Sequence, residues 1–322
     1  MAPRILVTAN PLSALDVMRE LAPAGFDIVV APAGSPEFHA ALAETEYLVG
    51  LGEASMDAAF YRASPKLKLV QLLSAGYDRV DIEAARHARV PVCNNGGANS
   101  VAVSEHAMLL MLAVCRRLTW LHGNVVAGRW RGNDVANVRL YELHGRTLGI
   151  VGLGTIGKKT ARLARAFGMA VQYYDIARLT EDQADALGVR FRLLGELLRT
   201  SDIVTLHVPL TPRTKHMIGA AELKLMQKTA YLINTSRGPV IDETALHAAL
   251  TDGTIAGAGL DVFDQEPPAA DNPLFRLDNV ILTPHYAGPT WDNQYSRFRN
   301  AFDNVQRVAR GEAPLWVIPE LR

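Results

Sequence analysis

Cysteine is nearly absent from this chain: Cys93 and Cys115 are the only two among 322 residues. Two thiols without a CxxC spacing support neither a disulfide framework nor a zinc site, and no metal is expected. A reducing cytoplasm is the simplest compartment for them, and both read as buried structural thiols. Long apolar runs are also missing. The longest, residues 107–115, falls far short of the roughly 20 residues that cross a bilayer. The apolar stretch at residues 5–9 is too short for the core of a signal peptide and reads better as a strand. Neither sign of charge is in excess, with 33 Lys and Arg against 33 Asp and Glu. Nothing here favours a nucleic acid or a membrane as partner. Internal repeats and low-complexity tracts are absent.

Apolar residues are plentiful, at 49% hydrophobic against 20% charged, which fits a soluble globular protein with ample core. The length suits two domains of roughly 150 residues each. Short apolar strands alternate with helical stretches over the first hundred residues. Strands are predicted at 5–8, 26–30, 47–49, 67–73 and 90–93, with helices at 12–21 and 82–88. A second series begins at a strand over 147–151 and continues with a helix at 156–167. Further strands follow at 170–174, 203–206, 230–234, 258–260 and 280–282, and a long helix at 291–310 ends the chain. Such alternation predicts βα units around parallel sheets. Residues 101–117 are apolar on nearly every face and predict a buried or interface helix. Residues 123–143, richer in Gly, Arg and Asn and carrying Trp130, suit an arm that packs on another subunit. Glu266-Pro-Pro268 reads as a loop.

The strand at 147–151 runs into Gly152-Leu-Gly154-Thr-Ile-Gly157. A lone GxGxxG is weak, but this one follows a strand, opens a helix, and precedes an acidic residue, Asp175, at the end of the next strand. Gly152 permits a tight turn, Gly154 lets the backbone approach a pyrophosphate, and Gly157 lets the helix pack on the strand. The N–H groups near Thr155 and Ile156 then face the phosphates at the helix start. Asp175 is suited to a ribose 2′-hydroxyl and repels a 2′-phosphate, which favours NAD over NADP, although Arg178 lies close enough to soften that preference.

Three further residues follow in order. Arg237, Glu266 and His285 are singly unremarkable: a surface cation, a solvated loop carboxylate and a hydrogen-bonded loop histidine. Together they fall at or near strand carboxyl ends of the second series, the edge where open α/β sheets bind ligands. A carboxylate beside an imidazole favours the imidazolium. That group donates a proton to a carbonyl oxygen, and neutral imidazole takes it back from an alcohol. An arginine fork suits a carboxylate.

At this point the chain resembles the D-isomer-specific 2-hydroxyacid dehydrogenases, over nearly its full length. The resemblance rests on the glycine loop, His207-Val-Pro-Leu-Thr-Pro212, Asn234-Thr-Ser-Arg-Gly238, Gly259-Leu-Asp-Val-Phe263 with Glu266-Pro, and Pro284-His285. It implies an α/β fold of two doubly wound parallel-sheet domains, a Rossmann-type cofactor domain (101–286) inserted into a flavodoxin-like substrate domain (1–100 and 287–322). It implies hydride transfer between NAD(H) and a small 2-hydroxy or 2-oxo acid such as glyoxylate, hydroxypyruvate or a pyruvate-like compound. His285 would be the acid/base, Glu266 its partner, and Arg237 the cation that binds and polarises the substrate. Cofactor contacts would come from Gly152, Gly154, Thr155, Ile156, Gly157, Asp175, His207, Pro209, Thr214, Thr235, Ser236, Arg237, His285 and Gly288, with Asp261 on the nicotinamide carboxamide. Val103 and Ser104 would lie near the nicotinamide. Ser74, Ala75 and Gly76, otherwise an ordinary turn, would hold the substrate carboxylate with Arg237 and His285. His106 matches a structural position of the family. A homodimer is expected.

Departures from the family pattern are Tyr286, where an aliphatic residue is common, and Trp291. Either narrows the pocket or stacks on a substrate; the alternative for Trp291 is helix packing. Relatives that oxidise formate carry Gln in the Glu266 position, so Glu266 points to 2-hydroxyacid chemistry. Two rivals stay open: an NAD(H)-sensing, corepressor-like binding protein on the same fold, and an enzyme of the phosphoglycerate dehydrogenase type. The latter is weakened because the chain stops about 30 residues after the last motif. The acid's side chain would be read by residues 49–53 and 74–77.

Overall fold

The computed structural model describes residues 2–9, 14–50, 56–131 and 138–322. Two compact units emerge: residues 1–99 with 289–322, and residues 100–288. The second unit is thus inserted in the sequence of the first.

The first unit opens with β1 (Arg4–Ala9), α1 (Leu15–Leu21), β2 (Asp27–Pro32), α2 (Pro36–Leu42), β3 (Thr45–Gly50), α3 (Ala58–Ala63), β4 (Leu69–Leu72), α4 (Ile82–Ala88) and β5 (Val92–Cys93). Its five strands are all parallel in the order β2-β1-β3-β4-β5, the flavodoxin-like winding expected. Alternation along β1 explains the two layers. Leu6 faces a core with Phe38, Phe60 and Val70, while Ile5 and Val7 face another with Met18, Tyr47 and Phe298. Successive strand residues point to opposite faces, so a sheet with both faces covered reads as an unbroken apolar run.

The second unit contains α5 (Ser100–Cys115), α6 (Leu118–Val126), β6 (Thr147–Val151), α7 (Thr155–Ala166), β7 (Ala170–Tyr174), α8 (Glu181–Leu187), β8 (Arg190–Phe191), α9 (Leu194–Thr200), β9 (Ile203–Leu206), α10 (Ala220–Leu225), β10 (Tyr231–Asn234), α11 (Glu243–Thr251), β11 (Gly257–Leu260) and β12 (Val280–Leu282). The helix α12 (Trp291–Ala309) returns to the first unit. The seven strands are parallel in the order β12-β11-β10-β9-β6-β7-β8. Strand order reverses between β9 and β6, the topological switch point of a Rossmann-type sheet. Helices α5 and α7 pack on one face around Leu148, Ile150 and Ile233. Helices α9, α10 and α11 cover the other around Val151, Val204 and Leu232.

The predicted strands are all present, with ends shifted by a residue or two. The structure adds α2, α3, α6, α8, α9, α10, α11 and the two-residue β8. The predicted start of the first helix at Leu12, positions 51–53, and positions 132–137 of the proposed arm lie outside the described residues. Helix α5 is mostly buried, but Val101 and Leu109 on it are half exposed. Among the described residues no helix is long and apolar enough to cross a membrane.

Candidate active site

All seven strands of the second unit run the same way, so the residues just past their ends share one edge. Gly152 follows β6, Asp175 follows β7, His207 follows β9, Thr235 follows β10, Asp261 follows β11 and Thr283 follows β12. Periodicity fixes these ends, and topology alone assembles them.

The glycine loop behaves as its residue types require. Gly152 has φ +95°, and a Cβ there would lie 2.6 Å from the His207 carbonyl oxygen. A Cβ on Gly157 would meet the Gly152 oxygen at 2.2 Å. Gly154 faces open space and begins α7 without a side-chain cap. The first-turn N–H groups are therefore left for a ligand, where the helix dipole favours an anion. Asp175 accepts from Leu153 N–H at 2.6 Å and Ala177 N–H at 2.8 Å, which ties β7 to the loop and leaves carboxylate lone pairs over. The Arg178 guanidinium lies 4.7 Å from the Phe191 ring centre.

Two polar atoms beside the switch point are buried and unpartnered among the described residues: His207 Nδ1 and Thr235 Oγ1. Burial pushes the His207 imidazole down to about 4, so it is neutral, with Nε2 3.1 Å from Thr205 Oγ1. Buried polar atoms normally find partners; these fit the polar atoms of a bound dinucleotide. Thr214 Oγ1 donates to the Pro209 carbonyl at 2.6 Å and receives Thr211 N–H at 2.8 Å, closing the turn after His207. Asn234 braces the next turn, accepting from Ser236 N–H and donating to the Arg237 carbonyl. Arg237 Nη1 donates to the Ser236 carbonyl at 2.7 Å.

His285 and Glu266 are paired: Nδ1 and Oε2 are 2.7 Å apart. With a carboxylate at Nδ1, the proton sits there and Nε2 is the nitrogen left for exchange. Glu266 also accepts Phe263 N–H at 3.1 Å. Burial raises its pKa, but the hydrogen bond and charge of His285, the Phe263 N–H and the charge of Arg237 together hold it below the ordinary carboxylate value. The structure therefore brings Arg237, Glu266 and His285 into one electrostatic group. A cavity of about 530 Å³ adjoins the pair, walled chiefly by Phe263, Pro267, Pro268, Phe275, Leu282 and Pro284.

His285 has φ +56°, an uncommon backbone for a residue with a Cβ. Asp261 holds it there. This fully buried carboxylate accepts the Thr283 hydroxyl at 2.6 Å and Tyr286 N–H at 2.8 Å on Oδ1, and Ala287 N–H at 2.8 Å on Oδ2. His285 N–H donates to the Asp261 carbonyl at 2.7 Å, and His106 Nε2 stands 3.0 Å from Thr283 Oγ1. Thr283 was not singled out from the sequence; its only signal is its position at the end of β12.

In the first unit, Ser74 Oγ donates to the Gly76 carbonyl at 2.8 Å, and the Ser74 carbonyl accepts Asn95 N–H at 3.0 Å. Val103 and Ser104 are buried on α5. Tyr286 is half exposed and Trp291 is 62% exposed.

A family model described as the NAD binding domain of D-isomer specific 2-hydroxyacid dehydrogenases matches residues 108–287. A glyoxylate reductase of Korarchaeum cryptofilum is 42% identical over 272 residues, covering 84% of this chain and 82% of that relative. A crystal structure of a glyoxylate reductase from Paecilomyes thermophila superposes with TM-score 0.88 at 28% identity, over 100% of this chain and 99% of its own. The holo D-mandelate dehydrogenase of Rhodotorula graminis gives TM-score 0.88 at 30% identity, over 98% and 97%. Fold, glycine loop and family match together define an NAD-dependent oxidoreductase acting on 2-hydroxy and 2-oxo acids. The chain belongs to the D-isomer specific 2-hydroxyacid dehydrogenase family.

Proposed function

We propose that this chain reduces a small 2-oxo acid with NADH, glyoxylate or hydroxypyruvate first among the candidates, using His285 as acid/base, Glu266 as its partner and Arg237 as the cation on the substrate. The observation that carries this reading is the 2.7 Å His285–Glu266 pair at the carboxyl edge of a sheet that also bears the glycine loop. The names of the relatives add weight to a small acid, while the mandelate dehydrogenase likeness keeps a larger one open to test.

Residues 101–286 act as the cofactor domain and 1–100 with 287–322 as the substrate domain. Gly152, Gly154, Thr155, Ile156 and Gly157 receive the pyrophosphate, and Asp175 the ribose. His207, Pro209, Thr214, Thr235, Ser236 and Gly288 line the remainder, and Asp261 Oδ2 keeps a lone pair for the carboxamide. NAD supplies the hydride when bound. His285 Nε2 gives its proton to the carbonyl oxygen during reduction and recovers it from the alcohol in reverse. Glu266 fixes the tautomer and stabilises the imidazolium, as the orienting acid of a triad does. The Arg237 fork grips the acid and polarises its carbonyl. Ser74, Ala75 and Gly76 offer N–H groups to the carboxylate. Half-exposed or more exposed apolar residues, Val101, Leu109, Leu118, Val126 and Trp130, support a homodimer through α5, α6 and the following segment. A cytoplasmic setting suits two buried thiols.

An NADH-oxidation screen over about a dozen 2-oxo acids tests the reading. Turnover with glyoxylate or hydroxypyruvate, and NADH preferred to NADPH, is the expected result. Tight NADH binding with no turnover on any acid would replace it with a dinucleotide-sensing role.

A further inference from the structure

The loop after β4 has its peptides turned in a definite way. The Leu73 carbonyl accepts from Arg297 Nε at 2.7 Å, and the Ser74 carbonyl accepts from Asn95 N–H. In a planar trans peptide, a C=O and the following N–H point in opposite directions. With both carbonyls drawn inward, the N–H groups of Ser74 and Ala75 are turned outward. Neither they nor the Gly76 N–H meets an acceptor among the described residues. Successive outward N–H groups form an anion-binding nest.

Arg297 itself needs explaining. It lies on α12, is 9% exposed, and reaches Gln294 Oε1 at 3.3 Å besides the Leu73 carbonyl. Burial alone acts on its guanidinium, lowering its pKa, and among the described residues no carboxylate pairs with it. A buried cation without a counter-charge is costly. Capping the Leu73 carbonyl alone calls only for a donor, which a neutral side chain supplies without that cost.

We propose that Arg297 is a positioning residue for the substrate's carboxylate: it pins the Leu73–Ser74 peptide so that the loop's N–H groups face outward, and its unanswered charge draws the acid to them. This deepens the proposed function and rests on the acid being held at Ser74–Gly76. Arg297 does not touch the substrate; it acts through the loop and through its field.

The test compares a 2-oxo acid with the primary amide of the same compound, as substrate or, where turnover is too slow, as competitive inhibitor. In Arg297→Met, KM for the acid should rise about tenfold more than KM for the amide, the effect of one charge across a partly screened distance, with any smaller rise shared by both reporting the lost pin on the loop, while the NADH affinity holds steady. Arg297→Lys should restore most of the preference. Should the methionine variant fail to fold, Arg297→Gln removes the charge and keeps a donor, and the same loss of acid preference is expected. An unchanged acid-over-amide preference, or an equal fall for both compounds, overturns the inference and leaves the function standing. A wild-type protein that turns over no 2-oxo acid overturns both.

Discussion

Replacing Asp261 by asparagine removes one oxygen and almost no volume. Its Oδ1 holds two donors, Thr283 Oγ1 and Tyr286 N–H, and its Oδ2 holds a third, Ala287 N–H. An asparagine keeps the first two on its carbonyl oxygen. Its amide nitrogen then faces Ala287 N–H, donor against donor. The orphaned buried N–H costs about 1–3 kcal/mol. The two bonds that remain lose their charge assistance, roughly half their strength. With about 0.7–1.5 kcal/mol lost from each of those two, the total is about 2.5–6 kcal/mol. It falls on the segment carrying His285 at φ +56°, a backbone that persists only where its surroundings hold it. A displacement of about 1 Å at the imidazole lowers turnover about a hundredfold. Urea unfolding followed by fluorescence reads the stability, and NADH oxidation reads the rate. Asp261→Asn with stability and kcat both within twofold of wild type would refute the reasoning.

Glu266→Gln keeps an acceptor for Nδ1 but loses the charge. A charged hydrogen bond contributes about 1.5–3 kcal/mol, so kcat/KM should fall ten- to a hundredfold, and an undiminished value counts against the pairing. The pKa of Glu266 is depressed from 4.5; its stabilisation is therefore complete above that value and disappears as pH falls through the lower folded-state value. The stability gap between wild type and Glu266→Gln should be present at about pH 6 and close on acidification; a gap that widens in acid contradicts it. Burial pushes the Cys93 thiol up to about 12 and Cys115 up to about 11. Neither should react with iodoacetamide at mildly alkaline pH until the chain unfolds, and prompt labelling of the native protein would contradict their burial.

The strands were legible because parallel strands covered on both faces become plain apolar runs, as Ile5 to Val7 and Leu148 to Val151 illustrate. The missed helices are short. Helix α8 buries none of its residues and so leaves no amphipathic stripe, although Thr180 and Gln183 form a capping box that was there to be found. The two-residue β8 is too short for any period to register. At the site, His285 and Glu266 stood out through motif context, and the structure pairs them. The long-range contacts were not legible: the motifs point to Asp261 only at the carboxamide, not as the brace of the His285 segment, and do not single out Arg297 against the substrate-side loop. Asp261 meets Tyr286 and Ala287 across 25 and 26 residues of sequence, and Arg297 meets Leu73 across 224. No periodicity or spacing encodes such contacts; only the strand order brings them together.

The most direct measurement is the rate of NADH oxidation with glyoxylate by His285→Ala at saturating NADH, set beside wild type and beside the NADH affinity of the same preparations. Removal of the imidazole should abolish turnover while NADH still binds. Turnover close to wild type in that variant would contradict the role given to His285.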